Sequence, residues 1–187
     1  MELIQMKVLG ISNTIRPADA YALVLEEVGG EERKLPIIIG HLEAQAIKVA
    51  MVKSKTPRPM THDLMTHCIK VLDGSIQKVV IYDVNDGIFY AHIYLQKEEE
   101  TICIDARTSD AIALALKSEC AIYATQEIVE KEHLHDIGNG AFTININMIG
   151  MDMLEDALER AVKDENYEQA SLLRDEINRR KAEKQND

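Results

Sequence analysis

The runs "ELIQMKVLGIS", "AYALVLEEV" and "RKLPIII" are strand-like, and "GGEE" between the second and third supplies a turn, so the chain opens with three predicted strands. From Gly40 the apolar spacing changes to Leu42, Ala46, Ile47, Val49 and Ala50, which is helical; Pro57 and Pro59 end that helix. Thr61 opens a second helix, "THDLMTHCIKVLDG". It sets Leu64, Met65, Cys68, Ile69 and Leu72 on one face and closes at Gly74. Three more strands follow in "IQKVVIYDV", "IFYAHIYLQ" and "TICIDA", joined by the turns "NDG" and "KEEE". "SDAIALALKSE" is then a helix, and "IYATQEIVEKEHL" is a short extended piece running into another helical turn.

The order reads as one unit written twice. Sliding Ile37–Ala50 onto Ile102–Ala115, an offset of 65, aligns Ile37/Ile102, Ile39/Ile104, Ala46/Ala111, Ile47/Ile112 and Ala50/Ala115 without a gap. Equivalent burial in two strand-helix units accounts for such identities as well as a repeat does. The polar residues at the two junctions differ: Gly40, His41 and Glu43 at one, Asp105, Arg107 and Ser109 at the other. The expected fold class is α+β, with two β3-α2-like halves forming a mixed or antiparallel sheet with packed helices, plus a C-terminal α-helical hairpin.

The hairpin is read from "MDMLEDALERAVKDENYEQASLLRDEINRRKAEK", which carries no strand signal. Met151, Leu154, Leu158, Ala161 and Val162 share one helical stripe, and Tyr167, Ala170, Leu173, Arg174 and Ile177 share another after the short break "KDENY". Two helices of this length hold too little apolar surface to be stable by themselves, so the stripe is expected to dock on the main domain, a second copy or another protein. The Gly- and Asn-rich run "DIGNGAFTININMIG" marks the boundary. The expected organisation is a main domain over 1–140, a linker over 141–150 and the hairpin over 151–187.

Composition changes this picture in three places. The 187 residues are 46% hydrophobic and 28% charged, ordinary for a globular chain, and no apolar run approaches the roughly 20 residues that a membrane-spanning helix needs. The N-terminus has no signal-peptide pattern, which makes a cytoplasmic protein the expectation. The three cysteines, Cys68, Cys103 and Cys120, have no short spacing, so neither a disulfide framework nor a zinc ribbon is suggested. The net charge of −11 argues against tight sequence-independent binding to nucleic acid, which depends on Lys and Arg neutralising phosphates. One local exception is Lys48, Lys53, Lys55 and Arg58, a run without an intervening acid; it reads as a solvated helix end or, with Lys53, Lys55 and Arg58, as a small phosphate-facing patch.

Four motifs in order, "LPIIIGHLEAQAI", "RPMTHDL", "YDVNDGIFYAHIYL" and "DARTSDAIALAL", resemble the bifunctional nuclease domain family across about residues 1–135. "DENYEQASLLRDEI" resembles the UVR motif, a helical hairpin found in excision-repair nuclease subunits and in adaptors of Clp-type proteases. The first resemblance implies an α+β domain, commonly dimeric, that hydrolyses both DNA and RNA. The second implies a protein partner held by the hairpin, through Tyr167, Ala170, Leu173, Arg174 and Ile177. One departure is visible: the family usually has Pro where this chain has Thr108.

Phosphodiester hydrolysis with a divalent metal calls for carboxylates to hold Mg²⁺ or Mn²⁺, a group to activate water and a cation to neutralise the charge that develops. Glu43, Asp63, Asp105 and Asp110 are acids at element starts or ends, His41 and His62 are candidate bases or acids, and Arg58 and Arg107 are candidate cations. The expected catalytic set is Asp105, Arg107, Asp110, Glu43, His62 and Asp63, with Asp105, Asp110 and Glu43 as metal ligands. Helix initiation explains several of these equally well: Thr61 reads as an N-cap with Asp63 in its first turn, Thr108 or Ser109-Asp110 caps the later helix, and Glu43 favours its helix dipole. Asp105 and Arg107 at the strand end have no such local explanation. His133 and His135 lie in a charged stretch and read as loop, and Phe89, Tyr90 and Tyr94 read as core or interface before a base-stacking platform.

Overall fold

The computed structural model describes residues 2–12, 20–53, 56–134 and 149–183. Its strands are β1 (Leu3–Ile11), β2 (Tyr21–Glu27), β3 (Lys34–Ile39), β4 (Gly74–Asn85), β5 (Ile88–Lys97), β6 (Glu100–Arg107) and β7 (Ala121–Thr125). Its helices are α1 (His41–Met51), α2 (Thr61–Val71), α3 (Thr108–Ser118), α4 (Gln126–Glu132), α5 (Met151–Lys163) and α6 (Tyr167–Glu183). The strands form one seven-stranded sheet in the order β3-β2-β1-β7-β4-β5-β6. Every neighbouring pair is antiparallel except β4 and β7, which run parallel.

The expected mixed α+β fold is therefore present, with one more full strand than the six the alternating runs predict. The extended piece before α4 becomes β7 and enters the middle of the sheet, between a meander of β1 to β3 and a meander of β4 to β6. The two segments related by the 65-residue offset lie at opposite edges, as β3 running into α1 and β6 running into α3, and α1 packs on α3. The turn between β4 and β5 puts Asp86 and Gly87 at φ 51° and 79°, the left-handed pair that matches strand twist in a two-residue hairpin.

One sheet face carries α1, α2 and α3 and the main core. Leu23, Leu25, Leu35, Ile37, Val79, Ile81, Ala91 and Ile93 from the strands meet Ala44 and Ile47 of α1 and the alanine-rich face of α3. In α1 the buried residues are Ala44, Ile47 and Ala50, and Leu42 is exposed, so the buried stripe is rotated from the predicted one. In α2 no residue is buried: Leu64, Met65, Cys68 and Leu72 all face solvent, and of the predicted stripe only Ile69 packs on the core. Neither predicted cap forms. Met60 precedes α2, and Asp63 accepts its backbone N–H at 3.0 Å; Arg107 precedes α3, and Thr108 turns its hydroxyl to the sheet.

The hairpin of α5 and α6 buries its own inner stripe. Leu154, Ala157 and Ala161 meet Ala170, Leu173 and Ile177, and the cluster is completed by Ala20, Ile149 and, from the outer face of β3, Ile38. Small alanines on both helices let the pair approach closely enough to form a core that their length alone did not promise. Arg180 Nη1 donates to the Ile149 carbonyl at 2.5 Å, and Lys181 pairs with Glu155 at 2.7 Å, which fixes the two ends side by side. None of the helices among the described residues is long and apolar enough to cross a membrane.

Candidate active site

Three helices begin close together, and each carries an acid at the third position of its first turn: Glu43 in α1, Asp63 in α2 and Asp110 in α3. A helix N-terminus presents unpaired N–H groups and a partial positive charge, which suits an acid at this position even without any other function. The three acids are also joined across elements. Arg107 Nη1 donates to Glu43 Oε1 at 3.0 Å and Arg107 Nε to Asp110 Oδ2 at 2.8 Å. The other Asp110 oxygen lies 3.1 Å from His62 Nε2. Asp63 pairs with Lys117, two turns along α3 from Asp110, at 2.6 Å. His62, Asp110, Arg107 and Glu43 thus form one continuous polar chain spanning α1, α2 and the junction of β6 with α3.

Gly40 makes room for this arrangement. A Cβ built on it would stand 2.6 Å from Glu43 Oε2, so the carboxylate folds back over the start of α1 into space that only glycine leaves. Thr108 anchors the other side: it is buried, and its hydroxyl donates to the Phe89 carbonyl on β5 at 2.7 Å, tying the start of α3 to the sheet. A proline here would lack that donor.

The electrostatics follow from these contacts. Burial alone would push the Asp110 carboxyl up, but hydrogen bonds from Arg107 and His62 outweigh it and hold the group below the ordinary carboxylate range. Lys117 and then the Met60 N–H hold Asp63 low in the same way. The Arg107 guanidinium is held protonated chiefly by Asp110. His62 is largely enclosed, its side chain 18% exposed, whereas Arg107 bridges its two carboxylates from a position 68% exposed.

Asp105 does not join this chain. It stands on the opposite face of β6, where Tyr82 Oη donates to it at 3.3 Å and Tyr82 stacks on His92 with ring centroids 3.9 Å apart. The expected metal triad of Asp105, Asp110 and Glu43 is therefore divided between two places. Glu43 and Asp110 carry hard carboxylate oxygens, the donor type that Mg²⁺ or Mn²⁺ prefers. Arg107 bridges them here, and among the described residues no group of three or more His, Cys, Asp or Glu side chains gathers around one cation position.

The other candidates are scattered. Lys53 pairs with Glu119 at the surface, with both side chains exposed; Arg58 is exposed, and Lys55 lies outside the described residues, as does His135. His41 lies against Tyr21, 3.5 Å from its hydroxyl. In the hairpin, Ala170, Leu173 and Ile177 are buried in its own core, while Tyr167, Leu172 and Arg174 face outward. Lys117 and Tyr82 join these contacts without a motif that marks them. Lys117 carried a signal in its seven-residue spacing from Asp110, which puts both on one face of α3.

Residues 23–136 match the family described as "Bifunctional nuclease domain", and residues 153–183 match the "UvrB/uvrC motif". An uncharacterized protein of Mycobacterium tuberculosis is 35% identical over 130 residues, covering 70% of this chain and 76% of that one. "Bifunctional nuclease 1" of Oryza sativa subsp. indica is 28% identical over 114 residues, covering 59% of this chain and 34% of that longer protein. "Bifunctional nuclease" of Oryza minuta matches to the same extent.

Proposed function

The chain belongs to the bifunctional nuclease domain family and carries a UvrB/uvrC motif, and we propose that it hydrolyses phosphodiester bonds in DNA and RNA at the junction of α1, α2 and α3. The observation that carries this reading is the link from His62 through Asp110 to Arg107, which sets a base candidate, its orienting carboxylate and an exposed cation in one row. In this reading a phosphate enters at the three helix N-termini, where N–H groups and dipoles favour an anion. Arg107 exchanges one of its carboxylates for a phosphate oxygen and neutralises the charge that builds on it. His62, oriented by Asp110, takes a proton from the attacking water as the water oxygen bonds to phosphorus; the P–O bond opposite it breaks, and the departing oxygen takes a proton from solvent. Mg²⁺ or Mn²⁺, carried in with the phosphate, would be held by Glu43 and Asp110 and would supply further charge neutralisation. Lys53, Lys55 and Arg58, on the chain leading into α2, are proposed as weak contacts to the strand beyond the scissile bond.

The outward residues of α6, Tyr167, Leu172 and Arg174, support a second role in which the hairpin holds a protein partner. The test of the main reading is cleavage of end-labelled single-stranded DNA and RNA by the purified chain, alongside His62→Ala and Arg107→Ala prepared identically. Loss of cleavage in both variants, with unchanged melting, supports it. Equal cleavage by all three preparations assigns the activity to a contaminant and removes the proposal.

A further inference from the structure

The start of α2 is held to the molecule by polar contacts rather than by packing. No residue of this helix is buried, and of its apolar side chains only Ile69, near its end, packs on the main core. The first turn, which carries His62, has no such support. It is tied instead at two points to α3: His62 Nε2 lies 3.1 Å from Asp110 Oδ1, and Lys117 Nζ lies 2.6 Å from Asp63 Oδ1.

The two pairs run in opposite senses. α2 offers a histidine and then an acid, and α3 offers an acid and then, seven residues on, a lysine. Seven residues rise about 10 Å along a helix, and consecutive residues project about 100° apart around its axis, so the contacts meet α3 on separate turns and leave α2 at different angles. One contact would let the first turn roll about it; two do not. A roll that carried Asp63 onto Asp110 would also set carboxylate against carboxylate.

The Lys117 contact reaches the backbone as well. The other oxygen of Asp63 accepts the Met60 N–H at 3.0 Å, and the Thr66 hydroxyl reaches the carbonyls of His62 and Asp63 at 3.0 Å and 2.9 Å. Asp63 and the first turn are thus one braced unit that includes the His62 backbone. A lysine in the last turn of a helix is favoured by the helix dipole wherever it points. Lys117 goes further than the dipole requires, because its side chain is only 15% exposed and ends on an acid of another helix.

We infer that Lys117 is a positioning residue: acting through Asp63, it sets the first turn of α2 so that His62 meets Asp110. Its effect on cleavage rests on the hydrolysis proposed above. The placement of His62 does not, and it is measured separately.

The experiment labels the full chain with nitrogen-15 histidine. Loss in His62→Ala identifies the His62 ring signals, and Asp110→Asn shows where they stand once the contact is broken. Lys117→Met keeps the stem and removes the charge; it should move the signals most of the way to that position, while Lys117→Arg leaves them near those of the unmodified chain. On a labelled oligonucleotide, Lys117→Met should lower kcat about 10²-fold, as misplacing a reacting group by about 1 Å does, with KM changed less than about twofold. Lys117→Arg should recover most of that loss. If Lys117→Met fails to fold, Asp63→Asn decides in its place, since it keeps an oxygen for the Met60 N–H on a helix with no buried residue. His62 signals that stay in place in the deciding variant overturn the inference whether or not the chain cleaves, and so does a rise in KM with kcat unchanged. Signals that move in a chain without cleavage support the placement and remove the hydrolytic reading alone.

Discussion

His62 Nε2 and Asp110 Oδ1 lie 3.1 Å apart, joining the first turns of two helices that are separated in sequence by the whole of β4, β5 and β6. The contact gives Asp110 two partners at once, because its second oxygen accepts from Arg107. Replacing Asp110 by Asn keeps the shape but removes the charge that both partners address. Under the proposed mechanism, Asp110→Asn and His62→Ala should each lower the cleavage rate about 10²- to 10⁴-fold, the usual worth of a positioned acid or base. The double variant should lose little more than either alone, since the two act as a unit. Single-turnover cleavage of a labelled oligonucleotide measures this. Losses that multiply would show that the residues work separately.

Asp105 gives the contrasting case. Its partner is Tyr82, on the face away from His62 and Glu43. Asp105→Asn should therefore leave cleavage within about threefold of the unmodified chain, while Asp110→Asn does not; the reverse ranking would move the reactive centre to the outer face of β6. A threefold change corresponds to less than about 0.7 kcal/mol, smaller than any catalytic role would produce.

The contrast also marks how far the sequence could be read. The strands, the Asp86-Gly87 turn and the hairpin were legible because periodicity and turn chemistry are local. From sequence Asp105 is the acid without a local explanation and Asp110 reads as a cap, but a strand alternates its faces while Arg107 ends it and turns toward the helices, so it is Asp110 that joins the polar chain and Asp105 that faces away. The pairing of Lys117 with Asp63 depends on how α2 packs beside α3, which no local pattern encodes. The apolar residues of α2 do share one face. Its exposure was not legible, because amphipathic spacing says which residues share a face and not what covers them.

Acid should weaken the site in a defined window. Asp110 and Asp63 have folded values held below their ordinary 3.8, so the stability they contribute is fully present above that value and is lost as pH falls through the lowered values. The gap in unfolding free energy between the unmodified chain and Asp110→Asn should thus be constant above about pH 5, at about 1 kcal/mol for a part-exposed pair, and shrink toward zero below about pH 3. Urea titrations at pH 7, 5 and 3 test it. A gap that stays the same at all three would mean that Asn costs stability for reasons other than charge.

Thr108 should be more costly to change than its place at the head of a helix suggests. Its hydroxyl donates to the Phe89 carbonyl and the residue is buried, so Thr108→Val removes a donor and keeps the shape, at a cost of about 1–2 kcal/mol. Thr108→Pro loses the same bond but fits the fixed φ favoured at the first helical position, and it should cost less. Thermal melting of the two variants ranks them. A proline variant less stable than the valine one would mean that the backbone here is not free to take the helical start.

Leu173 and Leu172 are neighbours in α6 with opposite fates, and they separate the hairpin's stability from its proposed binding. Leu173 is fully enclosed between α5 and α6, whereas Leu172 is 57% exposed. Leu173→Ala should cost about 2–5 kcal/mol, more than a pair of short helices can spare, so the hairpin should open while the sheet stays folded. The hairpin's cluster reaches the main domain through Ala20 and Ile38, too small a contact to carry that loss into the core of β4 and β5. Amide exchange should show this as lost protection over residues 151–183 with β4 and β5 unchanged. Leu172→Ala should leave all amides protected, within about 0.5 kcal/mol of the unmodified chain, because nothing folds over it. A partner captured by the intact hairpin should then be lost with both variants. Loss with Leu173→Ala alone would mean that the partner needs the folded pair but does not touch its outer face at Leu172.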